Sequence, residues 1–334
     1  MSIIRRARSQ ASLADVAALA GVSVSTVSRI ANGDLARASS ATVARVQRLI
    51  QQLDYRANPV GRSLRGGESR LVAMLAPNLD NPAMAAIAAS TENALRDAGY
   101  VMILCDTHDR PELQDEYLRA MRSRFVEGLV LVSAVASAEL KAAVARDETI
   151  VFVNRPSPYG GGAFVGIDNR RAGAEAAQYL LDLGAQSLAV IRPDVLSVPI
   201  RARIAGFIER VRQRHPRSVI RRAAGAGANH LQIGYAATER LIGDGGWPDG
   251  VLCPSDLMAY GLYRVATESG VRIPDQCRPI GIDDNALNEW IAPWLSSIKI
   301  PYEAFGDRIV ACLRDLRASK HVGEVLLQHR LISR

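Results

Sequence analysis

The chain has 334 residues, of which 48% are hydrophobic, so it can form two or three domains with sizeable cores and is not disordered throughout. No stretch of about eighteen apolar residues occurs, and the N-terminus bears arginines without a following apolar core, so we expect neither a membrane span nor a signal peptide. The net charge of +7 is confined to residues 1–70, which hold eleven arginines and four acidic residues, and this local surplus is typical of contact with nucleic acid phosphates.

The first predicted helix begins at residue 13, after a basic arm of residues 1–11 that has no periodicity. Ser12 can cap this helix, and Asp15 adds a favourable negative charge to its first turn. Spacings of three and four predict an inward face made of Val16, Leu19 and Ala20, with Ala17 behind them. Gly21 then supplies the left-handed backbone that ends the helix.

A second helix follows at once, because Ser23 can cap it. Two short helices joined by a turn of three to four residues that contains glycine predict a helix-turn-helix. The spacing predicts an inward stripe of Val27, Ile30 and Ala31. It leaves the outer face to Val24, Ser25, Ser28 and Arg29, and in this motif that face enters the major groove of DNA. The alternative is an ordinary helical hairpin with a solvated face.

A third helix completes the predicted N-terminal headpiece. Asn32, Gly33 and Asp34 form a loop after the second helix, and Ser39 or Ser40 can cap the third. Its apolar stripe is predicted to consist of Val43, Val46, Ile50 and Leu53, with Arg45 and Arg48 off the stripe.

From residue 71 the pattern changes to apolar strands that alternate with helices. The runs LVAMLA, VMILC, GLVLVS and TIVFVN form a first series, and FVGID, AVIRP, GVLCPS and PIGID form a second. Such runs predict parallel sheets covered by helices on both faces. Two series indicate two similar subdomains, with a ligand cleft between the ends of their strands.

Other candidate motifs do not support dinucleotide binding, hydrolysis or metal binding. The GAGAN stretch at 225–229 lacks the third glycine of a dinucleotide fingerprint, and no G-x-S-x-G sequence occurs. The five histidines have no metal-ligand spacing, so we expect no structural metal and no cofactor. The cysteines lie far apart and are expected to be reduced thiols of a cytoplasmic protein: Cys105, Cys253, Cys277 and Cys312.

The stretches LADVAALAGVSVSTVSRIANG and TVARVQRLIQQLDYRANPVGRSLRGG resemble the N-terminal region of the lactose-repressor (LacI/GalR) family of bacterial transcription regulators. The resemblance is specific over residues 12–67 and extends more loosely to the C-terminus. It implies an all-α helix-turn-helix headpiece with a hinge helix, followed by an α/β effector domain of two subdomains that resembles type I periplasmic binding proteins.

The domain boundaries follow from the same resemblance. We expect the headpiece at 1–57, the hinge helix and linker at 58–69, and the effector-binding and dimerisation domain at 70–334. The chain should cross between the subdomains near 164–166, 299–302 and 326–329. The first subdomain would then comprise about 70–164 and 301–325, and the second about 165–300 and 326–334.

The resemblance also assigns DNA contacts. Val24 and Ser25 occupy the positions that set operator preference, Arg29 is the neighbouring arginine, and Arg37 matches a contact before the third helix. The resemblance implies that the hinge NPVGRSL would lie in the minor groove, where Leu64 would wedge between base pairs. The complete predicted DNA-binding set is Ser23, Val24, Ser25, Thr26, Ser28, Arg29, Asn32, Arg37, Asn58, Arg62, Ser63 and Leu64.

One hinge residue departs from the family pattern, which usually has alanine where this chain has Gly61. Glycine has a lower helix propensity than alanine, so the hinge can be less ordered away from DNA. The alternative is that Gly61 fits closely between paired hinge helices.

For the effector, Arg203 matches the family arginine that forks onto ligand hydroxyls or a carboxylate, and Asp283 matches an acid that accepts hydrogen bonds. Asn154 and Asp256 match further polar positions, although Asp256 can equally cap a helix. Ala83 and Met84 replace frequent aromatic residues, so a stacking wall is either missing or supplied by Trp247, Trp290 or Trp294. Arg201, Arg203 and Lys299 could all face the cleft, which favours an anionic ligand, with a neutral sugar or polyol as the alternative.

Three classes of protein therefore fit. The first is a ligand-responsive repressor of sugar or sugar-acid catabolism genes, a homodimer or possibly a tetramer, bound to pseudo-palindromic operator DNA and released by a sugar, polyol or sugar acid. The second is a solute-binding protein, against which the headpiece argues. The third is an enzyme that uses the cleft, for which no catalytic constellation is apparent.

Overall fold

The computed structural model describes residues 11–31, 33–53 and 69–334. The chain divides into two compact units, Met1–Ser69 and Arg70–Arg334. Within the described ranges, no single helix is both long enough and apolar enough to cross a membrane.

The first unit contains three helices around a small apolar centre: α1 (Leu13–Ala20), α2 (Val24–Ala31) and α3 (Ser40–Gln52). The axes of α1 and α2 are bent by 108° relative to each other, which is the geometry of a helix-turn-helix. The buried side chains at the centre are Val16, Ala17, Ala20, Val27, Ile30 and Val46. The predicted helix-turn-helix is confirmed.

Capping residues begin and end these helices as the sequence predicts. The amide of Asp15 donates to Oγ of Ser12 at 3.2 Å, and the Ser12 amide donates back to the Asp15 carboxylate at 2.8 Å. Gly21 ends α1 with φ of +63°, a left-handed conformation that favours glycine. Ser23 Oγ then accepts from the Thr26 amide at 3.2 Å, and Ser39 Oγ caps α3 in the same way.

Two side chains predicted to face this centre lie outside it. Leu19 is 62% exposed while Ala17 is buried, and Ala31 is exposed at the end of α2. Since successive helical residues are about 100° apart, the stripe made by Val16, Ala17 and Ala20 leaves Leu19 at its outer edge. Small alanines allow close approach of the other helices, so packing selects the alanine side of α1 rather than the leucine side.

The second unit begins with a regular alternation of strands and helices. In chain order these are β1 (Leu71–Ala76), α4 (Pro82–Asp97), β2 (Val101–Asp106), α5 (Pro111–Arg122), β3 (Gly128–Val132), α6 (Ala138–Ala145), β4 (Ile150–Val153) and β5 (Ala163–Ile167). Every residue of β3 and β4 is buried, as expected for central strands of a sheet covered on both faces.

A second alternation follows, and then four further elements, of which the two strands return one to each sheet. The second series consists of α7 (Asn169–Asp182), β6 (Leu188–Pro193), α8 (Val198–Arg214), β7 (Ile220–Gly225), α9 (His230–Gly243), β8 (Gly250–Leu252), α10 (Asp256–Glu268), β9 (Arg278–Asp283), α11 (Asn288–Ile291) and β10 (Ser296–Lys299). A 3₁₀ turn (Tyr302–Ala304), α12 (Phe305–Arg317), β11 (Glu324–Leu327) and β12 (Arg330–Ile332) follow.

The strands form two six-stranded sheets. The first has the order β11-β5-β4-β3-β1-β2, and all of its pairs are parallel. The second has the order β12-β10-β9-β8-β6-β7, with β12 antiparallel to β10 and the other pairs parallel. The α/β architecture of two sheets predicted from the sequence is confirmed.

The chain passes from one sheet to the other three times: after β5, after β10 and between β11 and β12. The FVGID run was expected to open the second series, but β5 pairs with β4 and β11 in the first sheet. The first passage therefore lies after Ile167 rather than near 164–166. The last strand of a parallel sheet and the first strand of the next have the same apolar pattern, so only the pairing distinguishes them.

Two glycines set the distance between α7 and α8. A Cβ atom added at Gly173 would lie 1.8 Å from the carbonyl oxygen of Arg203, and one added at Gly206 would lie 1.8 Å from that of Arg170. The two helix backbones therefore touch reciprocally. This contact fixes the position of the α8 backbone at Arg203.

Candidate nucleic-acid interface and ligand cleft

The outer face of α2 is the candidate nucleic-acid interface. Val24 is 41% exposed, Ser25 is also exposed, and Ser28 and Arg29 are half-buried. Nε of Arg29 donates to the carbonyl oxygen of Ser25 at 3.3 Å, so its guanidinium lies back along the start of the same helix. Short polar side chains beside an arginine can reach base edges and phosphates.

A hydroxyl cluster lies at the N-terminus of α2. Ser23 Oγ is 2.8 Å from Ser25 Oγ and 2.9 Å from Thr26 Oγ1. Arg37 is exposed after α2, and Arg45 and Arg48 are exposed on α3. Hydroxyls, cations and a helix N-terminus are the groups that contact DNA phosphates.

Five of the predicted DNA contacts cannot be placed. Asn32, Asn58, Arg62, Ser63 and Leu64 lie outside the described residues, as does Gly61. Their roles stay predictions.

In the second unit, the carboxyl ends of strands from both sheets line one cleft of about 620 Å³. Residues that follow β1, β3 and β4 form one wall, and residues that follow β6, β8 and β9 form the other. This is the usual ligand position in open parallel sheets. Of the eight residues predicted from the sequence, the cleft is lined by Ala83, Met84, Asn154, Arg203 and Asp283.

Arg203 is held in the floor of this cleft by three groups. Its Nε donates to Oδ1 of Asn169 at 2.8 Å, and Nη1 donates to the carbonyl oxygen of Pro254 at 2.6 Å. Nη1 also lies 3.8 Å from Oδ1 of Asp283. The side chain is only 7% exposed, so its orientation is fixed before any ligand arrives.

Asp283 lies beside it at the end of β9. Its Oδ1 accepts a hydrogen bond of 2.7 Å from the Tyr302 hydroxyl. Burial raises the pKa of Asp283 to about 7, although the positive charge of Arg203 opposes this rise. The backbone of Asp283 has φ of +138° and that of Asp284 has φ of +50°, which are strained conformations for residues with side chains.

We expect the titration of Asp283 to make stability depend on pH. An unfolded aspartate ionises near its ordinary pKa, whereas folded Asp283 holds its proton to about pH 7, so this group lowers the stability of the fold as pH rises from about 4 to 7. Between pH 5 and pH 8, the Tm of Asp283→Asn should therefore fall by about 5 °C less than the Tm of the unmodified chain, as measured by thermal unfolding. Equal changes in both proteins would show that Asp283 ionises normally in the fold.

Asp256 lies next to the cleft but does not line it. Its carboxylate is buried and accepts from the Ser297 hydroxyl at 2.7 Å, the Asn285 amide at 2.7 Å and Nδ2 of Asn288 at 2.8 Å. Burial raises the pKa of Asp256, and these hydrogen bonds oppose the rise. This carboxylate joins the start of α10 to the segment after β9, and it does not cap its own helix.

The predicted cluster of three cations is not assembled in the cleft. Arg201 is exposed and does not line it, and Lys299 lines a neighbouring groove of about 860 Å³. Arg203 is thus the only one of the three in the cleft. The prediction that Arg201, Arg203 and Lys299 together face the cleft is wrong, so these three cations do not jointly favour an anionic ligand.

None of the three tryptophans that could have supplied a stacking wall lines the described part of the cleft. Trp247, Trp290 and Trp294 do not line it, and Trp294 stacks on Tyr263 with ring centroids 4.3 Å apart. Aliphatic side chains take the place of such a wall: Met84, Val195, Ile200, Leu231, Ile233 and Leu257.

The structure adds cleft residues that the sequence did not single out: Ser133, Arg155, His230, Ser255 and Tyr302. Ser133 follows β3 and Ser255 comes shortly after β8. Ligand-binding side chains are expected just after the ends of parallel strands, and this expectation, which selected Asn154, could also have found these two serines. Nδ2 of Asn154 donates to Oγ of Ser133 at 2.6 Å, which joins neighbouring strand ends. Nothing in the sequence marks His230 or Tyr302.

The cysteines and acidic residues show no metal chemistry in the part of the chain that is described. No group of three or more histidine, cysteine or carboxylate side chains there could hold a metal ion. All four cysteines are buried and free, and burial raises the pKa of each thiol.

Comparison with known proteins covers both units. Residues 12–58 match the family model of "Bacterial regulatory proteins, lacI family", and residues 177–334 match that of a "Periplasmic binding protein-like domain". The ribose operon repressor of Escherichia coli (strain K12) is 28% identical over 317 residues, which cover 91% of this chain and 92% of that protein.

Two solved structures resemble the whole fold or most of it. The lac repressor dimer bound to operator and the anti-inducer ONPF has a TM-score of 0.84 at 24% identity, and the match covers 97% of this chain and 98% of that one. A LacI family transcriptional regulator from Enterococcus faecium with bound ribose has a TM-score of 0.69 at 26% identity, covering 79% of this chain and 97% of that one.

Proposed function

Because this chain belongs to the LacI family of bacterial regulatory proteins and is a ligand-responsive transcriptional repressor, we propose that it controls sugar catabolism genes through a polyhydroxylated effector that binds in the cleft. One observation carries this proposal. A helix-turn-helix and a cleft with a buried Arg203–Asp283 pair occur in the same chain. Relatives such as the ribose operon repressor are regulators rather than enzymes, and we place the protein in the bacterial cytoplasm with its DNA.

The outer face of α2 reads the operator in this proposal. Val24 and Ser25 near the start of the helix contact base edges in the major groove, and Arg29 reaches a base or a phosphate. Ser23, Thr26, Ser28 and Arg37 contact the backbone and set the register. The hinge residues Asn58, Arg62, Ser63 and Leu64, with Asn32, keep the minor-groove and loop roles that the family resemblance gives them.

The effector is held by polar groups in the floor and by aliphatic side chains above them. Hydroxyl groups of a sugar donate to the free oxygen of the Asp283 carboxylate and accept from Arg203. The side-chain amide of Asn154 forms a hydrogen bond to the sugar from the opposite wall. Ala83, Met84 and Ile200 supply apolar contact without aromatic stacking. Ribose, which is bound in the Enterococcus faecium structure, is the first compound to test.

The functional protein is a homodimer in this proposal. The side chains of Leu287, Trp290 and Ile291 form an exposed apolar cluster on the second unit, and Trp290 is 82% exposed. The edge strand β2 also exposes Val101 and Leu104. Large exposed apolar side chains of this kind are typical of a covered face, and a pseudo-palindromic operator requires two copies of α2.

Effector binding would change operator affinity through the three passages between the sheets. Asn154 and Ser133 belong to the subdomain of the first sheet, and Arg203 and Asp283 belong to that of the second. A ligand that contacts both walls therefore changes the position of one subdomain relative to the other. The coupling is reciprocal: an effector that weakens operator binding is itself bound more weakly on the operator. We propose release by the effector, as an inducer.

A DNase footprint on the DNA upstream of the protein's own gene tests the proposal. We expect protection of two half-sites, loss of protection with an inducing sugar such as D-ribose, and about tenfold or greater weakening by Arg29→Ala. Arg240→Ala, which removes an exposed arginine side chain of α9, serves as the control and should leave the footprint unchanged. An absence of any specific footprint at physiological salt would contradict the proposed function.

A further inference from the structure

The second-sheet wall of the cleft presents hydrogen-bond donors that the protein itself does not use. His230 is the first residue of α9 and lines the cleft. Its Nδ1 is 2.9 Å from Oγ of Ser255, and its Nε2 has no hydrogen-bond partner among the described residues. The unused nitrogen is therefore available to a ligand.

The proton on the imidazole can be assigned from its neighbour. Ser255 is buried, does not cap α10, and has no other acceptor for its hydroxyl proton in the described parts of the chain. Its hydroxyl thus donates to Nδ1, because a buried hydroxyl proton without an acceptor is costly. Burial, and then the charge of Arg203, lower the pKa of His230, so the ring is neutral and Nε2 carries its single proton.

Arg203 supplies a second free donor close to the first. Its Nε and Nη1 are bound to Asn169 and Pro254, and no hydrogen bond to Nη2 occurs within the described ranges. Pro254 and Ser255 are consecutive, so the guanidinium and the imidazole are anchored on adjacent residues. Both residues line the cleft, and they are close enough for the charge of Arg203 to act on His230.

The N-termini of α8 and α10 add positive electrostatic potential at the second-sheet wall of the cleft. Ser197 and Ser255 occupy the positions before α8 and α10, and neither makes a side-chain cap. Pro199, Ile200 and Leu257 of these first turns line the cleft. The dipoles of the two helices favour negative charge at this wall, although the Asp256 amide in the first turn of α10 already donates to Asp283 and Pro199 in the first turn of α8 has no amide proton.

We propose that the effector carries an anionic group that only accepts hydrogen bonds, a carboxylate or a phosphate, and that this group binds Nε2 of His230 and Nη2 of Arg203. This inference rests on the proposed function and names the class of effector as a sugar acid or a sugar phosphate. Arg201 and Lys299, which the sequence placed beside Arg203, take no part in this binding.

The bound anion would be linked to proton uptake. A negative charge near Asp283 favours the neutral form of its carboxyl group, whose pKa is already about 7, whereas His230 stays neutral because its Nδ1 accepts from Ser255. Affinity for an anionic effector is thus expected to rise as pH falls from 8 to 6. The other charged or titratable groups around these two are Arg203, Asp256 and Tyr302 on the same side, and Asp80, Asp109 and Arg155 on the opposite wall.

Calorimetric titration of the full chain with matched series of compounds tests the inference. The series are D-ribose, D-ribonate and D-ribose 5-phosphate; D-glucose, D-gluconate and D-glucose 6-phosphate; and D-galactose, D-galacturonate and D-galactose 6-phosphate. We expect one acid or phosphate to bind about tenfold or more tightly than its neutral sugar. Which of the two binds identifies the anionic group.

Variants assign the contact to His230. His230→Ala should weaken the anionic ligand about tenfold or more and remove most of its preference over the neutral sugar, whereas His230→Gln, whose amide can donate in place of Nε2, should retain much of it. His215→Ala, on an exposed histidine, is the control. Equal weakening of neutral and anionic ligands by His230→Ala would overturn the inference.

The failure of this inference is distinguishable from failure of the proposed function. If a neutral sugar binds more tightly than its acid and its phosphate, the effector does not need an anionic group and the inference is overturned. If the same neutral sugar releases the operator, the proposed function is supported. If no compound in the series binds or changes the footprint, both are contradicted.

Discussion

Replacement of Arg203 by methionine is expected to weaken effector binding about 100-fold or more, because the charge-assisted donors in the cleft floor are lost. The change also leaves the carboxylate of Asp283 and the oxygen of Asn169 without their partner in a buried place. We therefore expect about 3 kcal/mol of lost stability as well. Cells that carry the variant should repress the target gene whether or not the effector is present.

The neighbouring arginine provides a matched control. Arg201 lies two residues earlier on α8, is exposed and does not line the cleft, so Arg201→Met should leave effector affinity within about twofold. Arg203→Lys separates charge from geometry, since lysine keeps the cation but loses the planar fork. Calorimetry for affinity and thermal unfolding for stability check all three variants. Unaltered effector affinity in Arg203→Met would remove Arg203 from the site.

Gly173→Ala is expected to have the largest effect on stability. The added methyl group would lie 1.8 Å from the Arg203 carbonyl oxygen, so α7 and α8 must separate. We expect a loss of about 3 kcal/mol or more, seen as a fall of about 10 °C in Tm. Because the displaced backbone carries Arg203, effector affinity should fall in the protein that remains folded.

Gly243→Ala is the matched control for this variant. Gly243 is also a helical glycine, the last residue of α9, but it is exposed and a Cβ atom there meets nothing within 4 Å. Alanine at that position should stabilise the protein by about 0.5 kcal/mol through its better helix propensity. If Gly173→Ala unfolds at the same temperature as Gly243→Ala, the close contact between α7 and α8 is not present in solution.

Features set by local chemistry could be predicted from the sequence. Ser12, Gly21 and Ser23 act within three or four residues of the groups that they cap, so their roles follow from spacing alone. The parallel strands were visible as apolar runs. The prediction that Leu19 faces inward was wrong because packing against α2 and α3 determines which face of α1 is buried. The sequence of α1 alone does not contain that information.

The cleft was predictable in part for a similar reason. Asn154 and Asp283 follow strands, so their place at the edge of the sheets is local information. Arg201 and Arg203 could have been separated, because residues two apart on a helix point about 200° apart and cannot both face one cleft. The bond between Asp283 and Tyr302, and that between His230 and Ser255, join residues 19 and 25 positions apart and depend on tertiary structure.

The strained corner at Asp283 and Asp284 bears on how this protein could be redesigned as a sensor for another compound. Positive φ at two consecutive residues with side chains costs about 1–3 kcal/mol each, and the surrounding contacts must offset that cost. A library of variants that includes this corner would lose much of its folded fraction. Positions such as Met84, Ile200 and Leu231 carry no such constraint, so a directed search for new ligand specificity is best begun at the aliphatic side of the cleft.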